Sequence, residues 1–285
     1  MLGIKRNIEI ITPTDNENKI IGRINPEYMK YSQMTKHESE FINAIILRNN
    51  PKKLLEIGVS AGCSTLIILN AIDNKKDTKL YSIDNSEDWY KQKDKKTGFL
   101  VDEYKELKSK WKLYTNGLAI NFIEEIGRDI DFCLIDTMHK IPGGILDFLM
   151  IFPFLKDDAI VIIHDTKLNT CDYEKRQPGF SRLDMANNLL MNCLFGKKII
   201  QGNFTKEDDN NGIKTILPNI EGIKINRNTR DNIFGIINLL SLKWEYLPQA
   251  EEMNSILMFF EKYYDGYLME NIKELFEYQI MWFGK

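Results

Sequence analysis

Lys52 to Ile72, reading KKLLEIGVSAGCSTLIILNAI, constrains the fold of this chain more than any other stretch. An apolar run from Lys53 to Ile57, with the acid Glu56 near its tip, leads into Gly58-Val-Ser-Ala-Gly62 and then into helically spaced Leu66, Leu69, Asn70 and Ile72. This order predicts a buried parallel strand, a glycine turn and a helix start. Gly58 and Gly62 permit positive φ and let a ligand approach the backbone around Ser60 and Ala61. The helix start at Gly62 to Thr65 offers free N–H groups beside the hydroxyls of Ser64 and Thr65, which suits a carboxylate or a phosphate. Glu56 decides between ligands, because a carboxylate there repels a pyrophosphate and attracts an ammonium. The spacing Glu-x-Gly-x-x-x-Gly also departs from the dinucleotide pattern Gly-x-Gly-x-x-Gly. An amino-acid-like ligand is therefore expected, its ammonium near Glu56 and its carboxylate at Ser64 and Thr65. The plain alternative is an ordinary strand-to-helix turn.

Three later runs repeat the pattern of an apolar strand ending in an acid. Lys79 to Asp84 ends in Asp84, Ile130 to Asp136 in Asp136, and Ala159 to Ile163 in His164-Asp165-Thr166. In an open parallel sheet, ligands gather at the carboxyl ends of the strands beside the switch point, so these groups should converge. An acid on the strand after the glycine turn accepts hydrogen bonds from ribose hydroxyls, which makes Asp84 the ribose residue unless it caps the turn Asn85-Ser-Glu-Asp88. Convergence of Asp136 and Asp165 is costly unless a cation neutralises them, and carboxylates with water suit Mg²⁺, or Mn²⁺ where an imidazole joins.

These stretches resemble motif I of the class I S-adenosylmethionine-dependent methyltransferases, in its O-methyltransferase variant. From about Met34 to Thr166 they are similar to the metal-dependent O-methyltransferases, both the catechol type and the macrocin and cephalosporin-hydroxylase-like group with its Ile-Asp-x-x-His and His-Asp-Thr stretches. The resemblance implies S-adenosylmethionine as cofactor and Mg²⁺ or Mn²⁺ on Asp136 and Asp165, with His164 as a third ligand or else a packed histidine. It also implies a place near the adenine edge for Asn116 and a general base at His139, three residues beyond Asp136. Imidazole suits that task near neutral pH. An exposed turn histidine is the alternative reading of His139, and Lys140 is the reserve base.

The remaining composition narrows the function class. A net charge of −3 over 285 residues argues against nucleic-acid binding, and no run approaches the length of a membrane span. A cytoplasmic protein with reduced Cys63, Cys133, Cys171 and Cys193 is expected. The fold expected is α/β, a doubly wound, mostly parallel Rossmann-like sheet with an inserted cap and C-terminal helices. Residues 1–34 form a leader, in which Ile8–Ile11 and Ile20-Ile21 pair as a hairpin or lie across the site. Residues 35–240 form the methyltransferase domain, with a cap at about 167–218 and final strands at Ile220–Ile225 and Ile233–Asn238. Residues 241–285 form a helical tail, marked by Met253, Ile256, Leu257 and Phe260 and by Leu268, Ile272, Leu275 and Phe276. That tail packs on its own domain, forms a homodimer interface or lines an acceptor pocket. The expected activity is O-methylation of a hydroxylated small molecule, a sugar or glycosylated metabolite favoured. The alternatives are a metal-independent methyltransferase and a non-catalytic S-adenosylmethionine-binding or assembly module.

Overall fold

The computed structural model describes residues 7–32, 34–167, 185–202, 205–209, 212–216, 219–226 and 230–283. In chain order the elements are β1 (Ile8–Ile11), α1 (Asp15–Ile21), α2 (Lys36–Asn49), β2 (Lys53–Ile57), α3 (Cys63–Ile72), β3 (Lys79–Ile83), β4 (Trp111–Tyr114), α4 (Ala119–Ile126), β5 (Ile130–Ile135), α5 (Gly143–Ile151) and β6 (Leu155–His164). They continue with α6 (Ala186–Cys193), β7 (Gly196–Gln201), β8 (Thr205–Asp209), β9 (Gly212–Ile216), β10 (Ile220–Ile225), α7 (Arg230–Leu239), α8 (Ala250–Tyr263) and α9 (Gly266–Phe283).

The main sheet has eight strands in the order β1-β7-β10-β6-β5-β2-β3-β4. β2 to β6 pair in parallel, and β10 lies antiparallel between β6 and β7. The chain runs outward from β2 through β3 to β4 and then crosses back to β5 and β6, so the switch point lies between β2 and β5. This is a doubly wound, mostly parallel, Rossmann-like arrangement.

Both faces of the sheet are buried, which explains the near-continuous apolar strands. Leu54, Phe132, Leu134 and Ile162 face the cluster under α2 and α3. Leu55, Cys133, Ile135 and Ile163 face the larger cluster formed by α4 to α9. Helix α2 begins at a capping box in which the Thr35 hydroxyl accepts from the Glu38 N–H and the Thr35 N–H donates to the Glu38 carboxylate. Among the described residues no helix is long and apolar enough to cross a membrane.

Several elements differ from their expected form. Ile8–Ile11 is a strand, but it extends the main sheet by pairing in parallel with β7, while Ile20 and Ile21 belong to helix α1. Ile233–Asn238 lies within helix α7, its buried Ile233, Ile236, Ile237 and Leu240 following the three- and four-residue spacing of a helix face. Phe99 to Lys110 carries two 3-10 turns, at Phe99–Glu103 and Lys108–Lys110. Its start is bound to the glycine turn, with the Gly98 and Leu100 N–H groups donating to the carbonyls of Ser60 and Ala61. β8 and β9 pair as an antiparallel hairpin. Most of Lys167 to Gly179, Cys171 included, lies outside the described residues.

The tail packs on its own domain. Trp244 is fully buried, its ring 5.1 Å from Phe276 of α9 and its backbone N–H donating to Gln279. Phe276→Ala should lower unfolding free energy by about 3–5 kcal/mol in urea titration. A change below 1 kcal/mol would show that the tail is not part of the cooperative core.

Candidate active site at the strand tips

The tips of β2, β3 and β5 are locked level with one another. The Gly58 N–H donates to the Ile83 carbonyl and the Asp136 N–H to the Ile57 carbonyl, both at 2.9 Å. Gly58 has φ +91°, and a Cβ there would stand 1.9 Å from the Asp136 carbonyl oxygen. Only glycine permits this approach.

Glu56 and Ser64 occupy places other than those expected. The Glu56 carboxylate is fully buried and accepts from the hydroxyls of Ser64 (2.6 Å), Thr65 (2.8 Å) and Ser82 (2.7 Å). The acid and the hydroxyls assigned to opposite ends of a ligand satisfy one another, because a buried carboxylate demands donors. Burial pushes the Glu56 carboxyl up to about 7, against those three hydroxyls. Ala61 and Gly62 lie under the Gly98 loop, at Gly62 with Gly98 Cα 3.1 Å from where a Cβ would stand. The helix start is thus covered, and Glu56, Ala61, Gly62 and Ser64 do not line the cavity described next.

A cavity of about 560 Å³ opens over the strand tips, with Gly58, Ser60, Asp84, Asp136 and His139 in its wall. That volume suits a small-molecule ligand. Asp84 accepts from the N–H groups of Val59 (2.9 Å), Ser60 (3.1 Å) and Ser86 (3.0 Å), so it caps the glycine turn and also faces the cavity. Asn116 is exposed and donates to Glu87 at 3.3 Å, leaving Gly117, Leu118 and Ala119 as the cavity wall at that corner. Trp89 covers Ser60, donating from its indole N–H to the Ser60 hydroxyl at 3.1 Å.

At one end of the cavity Asp136, His139 and Asp165 offer donor atoms within 4.8 Å of one another. β6 ends at His164, and Asp165 has φ +59°, so the chain has left the strand and both side chains turn toward Asp136. His139 Nε2 stands 2.9 Å from Asp165 Oδ2. His164 takes another part than the ligand role considered for it: it is 2% exposed, with Nδ1 3.1 Å from Asp136 Oδ1 and 3.3 Å from Asp165 Oδ2, and Nε2 3.6 Å from Glu38. Burial opposes a charged ring, but Asp136 foremost, with Asp165 and Glu38, holds its pKa well above the ordinary value. Nδ1 is engaged by Asp136 and Asp165, whereas Nε2 is buried beside Glu38 beyond hydrogen-bonding distance. His139 is likewise raised, burial being outweighed by Asp165, while the histidines hold the Asp165 carboxyl well below the usual range.

Sequence reasoning missed the supports of this cluster. Glu38, besides closing the capping box of α2, backs His164 and accepts from the Asn219 N–H at 3.2 Å. Asn219 donates to Asp165, and Asn187 donates to the His164 carbonyl at 2.8 Å and lies 3.3 Å from His139 Nδ1. Neither asparagine carries a local signal, because each reaches the site from a distant element.

Residues 55–166 match a family model described as a methyltransferase domain. The match spans the glycine turn, all four acid-tipped strands and the cluster just described. That stretch, about two-fifths of the chain, is similar to a methyltransferase domain. Among curated protein sequences none matches the chain. Among solved structures, similar folds occur in the O-methyltransferase TomG of Streptomyces achromogenes (12% identity, TM-score 0.48, 76% of this chain and 92% of that one). Another is a putative caffeoyl-CoA O-methyltransferase of Staphylococcus aureus (16% identity, TM-score 0.49, 74% and 93%). A third is an O-methyltransferase of Bacillus cereus in complex with SAH (13% identity, TM-score 0.46, 75% and 93%).

The raised pKa of Glu56 makes its ionisation a cost to the fold. Its stabilising contribution is full below 4.5 and is lost as pH rises through about 7. Between pH 5 and 7.5 wild-type stability should fall relative to Glu56→Gln, by up to about 3 kcal/mol in urea titrations. Parallel profiles for the two proteins would refute this.

Proposed function

We propose that this methyltransferase is a divalent-cation-assisted O-methyltransferase acting on a hydroxyl of a small, uncharged or cationic acceptor, with a sugar or glycosylated metabolite favoured. The observation that carries the reading is the convergence of Asp136, His139 and Asp165 at one end of a cavity large enough for donor and acceptor together. The donor set of two carboxylates and one imidazole fits Mg²⁺ or Mn²⁺. Asp136 and Asp165 would hold the ion, which when bound supplies Lewis-acid activation of the acceptor hydroxyl.

The residues of the chain supply the remaining parts. His139 keeps its Nε2–H toward Asp165, 2.9 Å away, and takes the acceptor's proton at Nδ1, so that Asp165 stabilises the imidazolium that forms. His164, backed by Glu38, holds the Asp136 and Asp165 carboxylates together. Asp84 and the backbone around Gly58 would hold the donor, which when bound supplies the methyl group for transfer to the acceptor oxygen. The cavity wall carries Asp84, Asp88, Asp136, Asp147 and Glu252 and, among the described residues, no lysine or arginine. That charge favours a cationic sulfonium donor and disfavours phosphorylated acceptors.

The compactness of the cluster supports a second reading in which His139 is the third ligand. His139→Ala separates the two. Turnover lower by about 10²–10⁴-fold with unchanged Mn²⁺ affinity assigns the base role, and lost Mn²⁺ affinity assigns the ligand role. The proposal itself is tested by S-adenosylhomocysteine formation over a panel of hydroxylated acceptors. Chelation should suppress the rate on the order of a hundredfold or more, with recovery on adding Mg²⁺ or Mn²⁺. Undiminished turnover in chelator would sink the cation-assisted mechanism.

A further inference from the structure

Ser60 stands in the glycine turn with φ +53°, in the left-handed region. A side chain in that conformation costs about 1–2 kcal/mol, which a glycine would avoid. Three hydrogen bonds, all to the segment from Asp84 to Gly98, hold it there. The Ser60 N–H donates to Asp84 at 3.1 Å, its carbonyl accepts from the Gly98 N–H at 2.8 Å, and its hydroxyl accepts from the Trp89 indole N–H at 3.1 Å. The last of these needs a serine and explains what the hydroxyl offers in return for the strain. Ser60 lines the cavity, whereas Trp89 is buried and has no place in the cavity wall.

Trp89 is itself held in place by packing. Tyr31 and Phe99 meet its ring at 5.6 and 5.4 Å between centroids, and the Lys95 ammonium stands 4.8 Å from the Tyr31 ring and 4.4 Å from the Phe99 ring. The segment also closes on itself, since the Trp89 N–H donates to the Lys95 carbonyl and the Thr97 N–H to the Glu87 carbonyl, both at 2.8 Å. Building on the S-adenosylmethionine reading, we propose that Trp89 is a positioning residue for the donor: through the Ser60 hydroxyl it sets the cavity-facing edge of the glycine turn in its binding conformation before the ligand arrives. Trp89 makes no contact with the donor in this scheme. Its effect is to spare the ordering of the turn on binding, which raises affinity. Tyr31 lies ahead of the matched residues 55–166, so the leader takes part in supporting the donor site.

Calorimetric titration of the full chain with S-adenosylhomocysteine, run as a double-mutant cycle, tests the assignment. Trp89→Phe keeps a ring among Tyr31, Phe99 and Lys95 and removes the N–H, while Ser60→Ala removes the hydroxyl. Each should weaken binding about two- to tenfold, the effect expected of one hydrogen bond. The double variant should bind no more weakly than the weaker single one, because both changes remove the same bond. A merely structural tryptophan would lower stability to urea in Trp89→Phe and leave the affinity unmoved. Wild-type affinity in Trp89→Phe, or losses that multiply in the double variant, would overturn the proposal while leaving the donor reading intact. If wild-type protein does not bind S-adenosylhomocysteine, the donor reading falls and this proposal with it.

Discussion

A buried carboxylate organises the centre of this protein. Glu56 has no access to water and must find its donors inside the fold, and it finds them on two different elements, Ser64 and Thr65 at the start of α3 and Ser82 in β3. Ser82 in turn accepts from the indole N–H of Trp111 on β4, at 2.9 Å. One acid thereby ties the strand at the switch point to its helix and, through Ser82, to the two strands outside it. The glycine turn above has little freedom left: its carbonyls at Ser60 and Ala61 hold the Gly98 loop and its N–H groups at Val59 and Ser60 are held by Asp84. What remains open to a ligand is the cavity-facing edge of the turn.

The cluster at the tips of β5 and β6 solves a related electrostatic problem. Glu38, Asp136 and Asp165 surround His164, and two histidines compensate three carboxylates at close range. Truncating either histidine would leave acids in a poorly hydrated place, where an unpaired charge is costly. The same arrangement makes the cluster receptive to a cation, since an added positive charge meets carboxylates already held together. His164 is better placed to orient and His139 to react, because only the latter lies on the cavity wall.

The appended segments are part of the working body. β1 extends the sheet at its β7 edge, and α8 and α9 bury Met253, Ile256, Phe260, Ile272 and Phe276 in the larger core. Placing Tyr246 and Glu252 in the cavity wall follows from the same packing of α8 on α4 and α5. The tail read as a self-packing helical element therefore also shapes the ligand site.

Local sequence was informative wherever a backbone pattern carries the information. The four acid-tipped strands and the positive-φ glycines were legible because strand burial and left-handed turns each leave a residue-level mark. The α/β class and the convergence of Asp136 with Asp165 follow from those marks and the parallel-sheet rule. Boundaries in short apolar runs were not legible: Ile233 to Asn238 satisfies strand and helix alike until its neighbours choose a face. What only the tertiary structure decided was the direction and partner of each polar side chain. Glu56 turned inward to three hydroxyls, His164 lay beneath the acids, and Asn187 and Asn219 reached the acid and histidine cluster from distant segments. Sequence spacing determines which face of an element a residue occupies, whereas the partner met there depends on contacts between chain segments that no local pattern encodes.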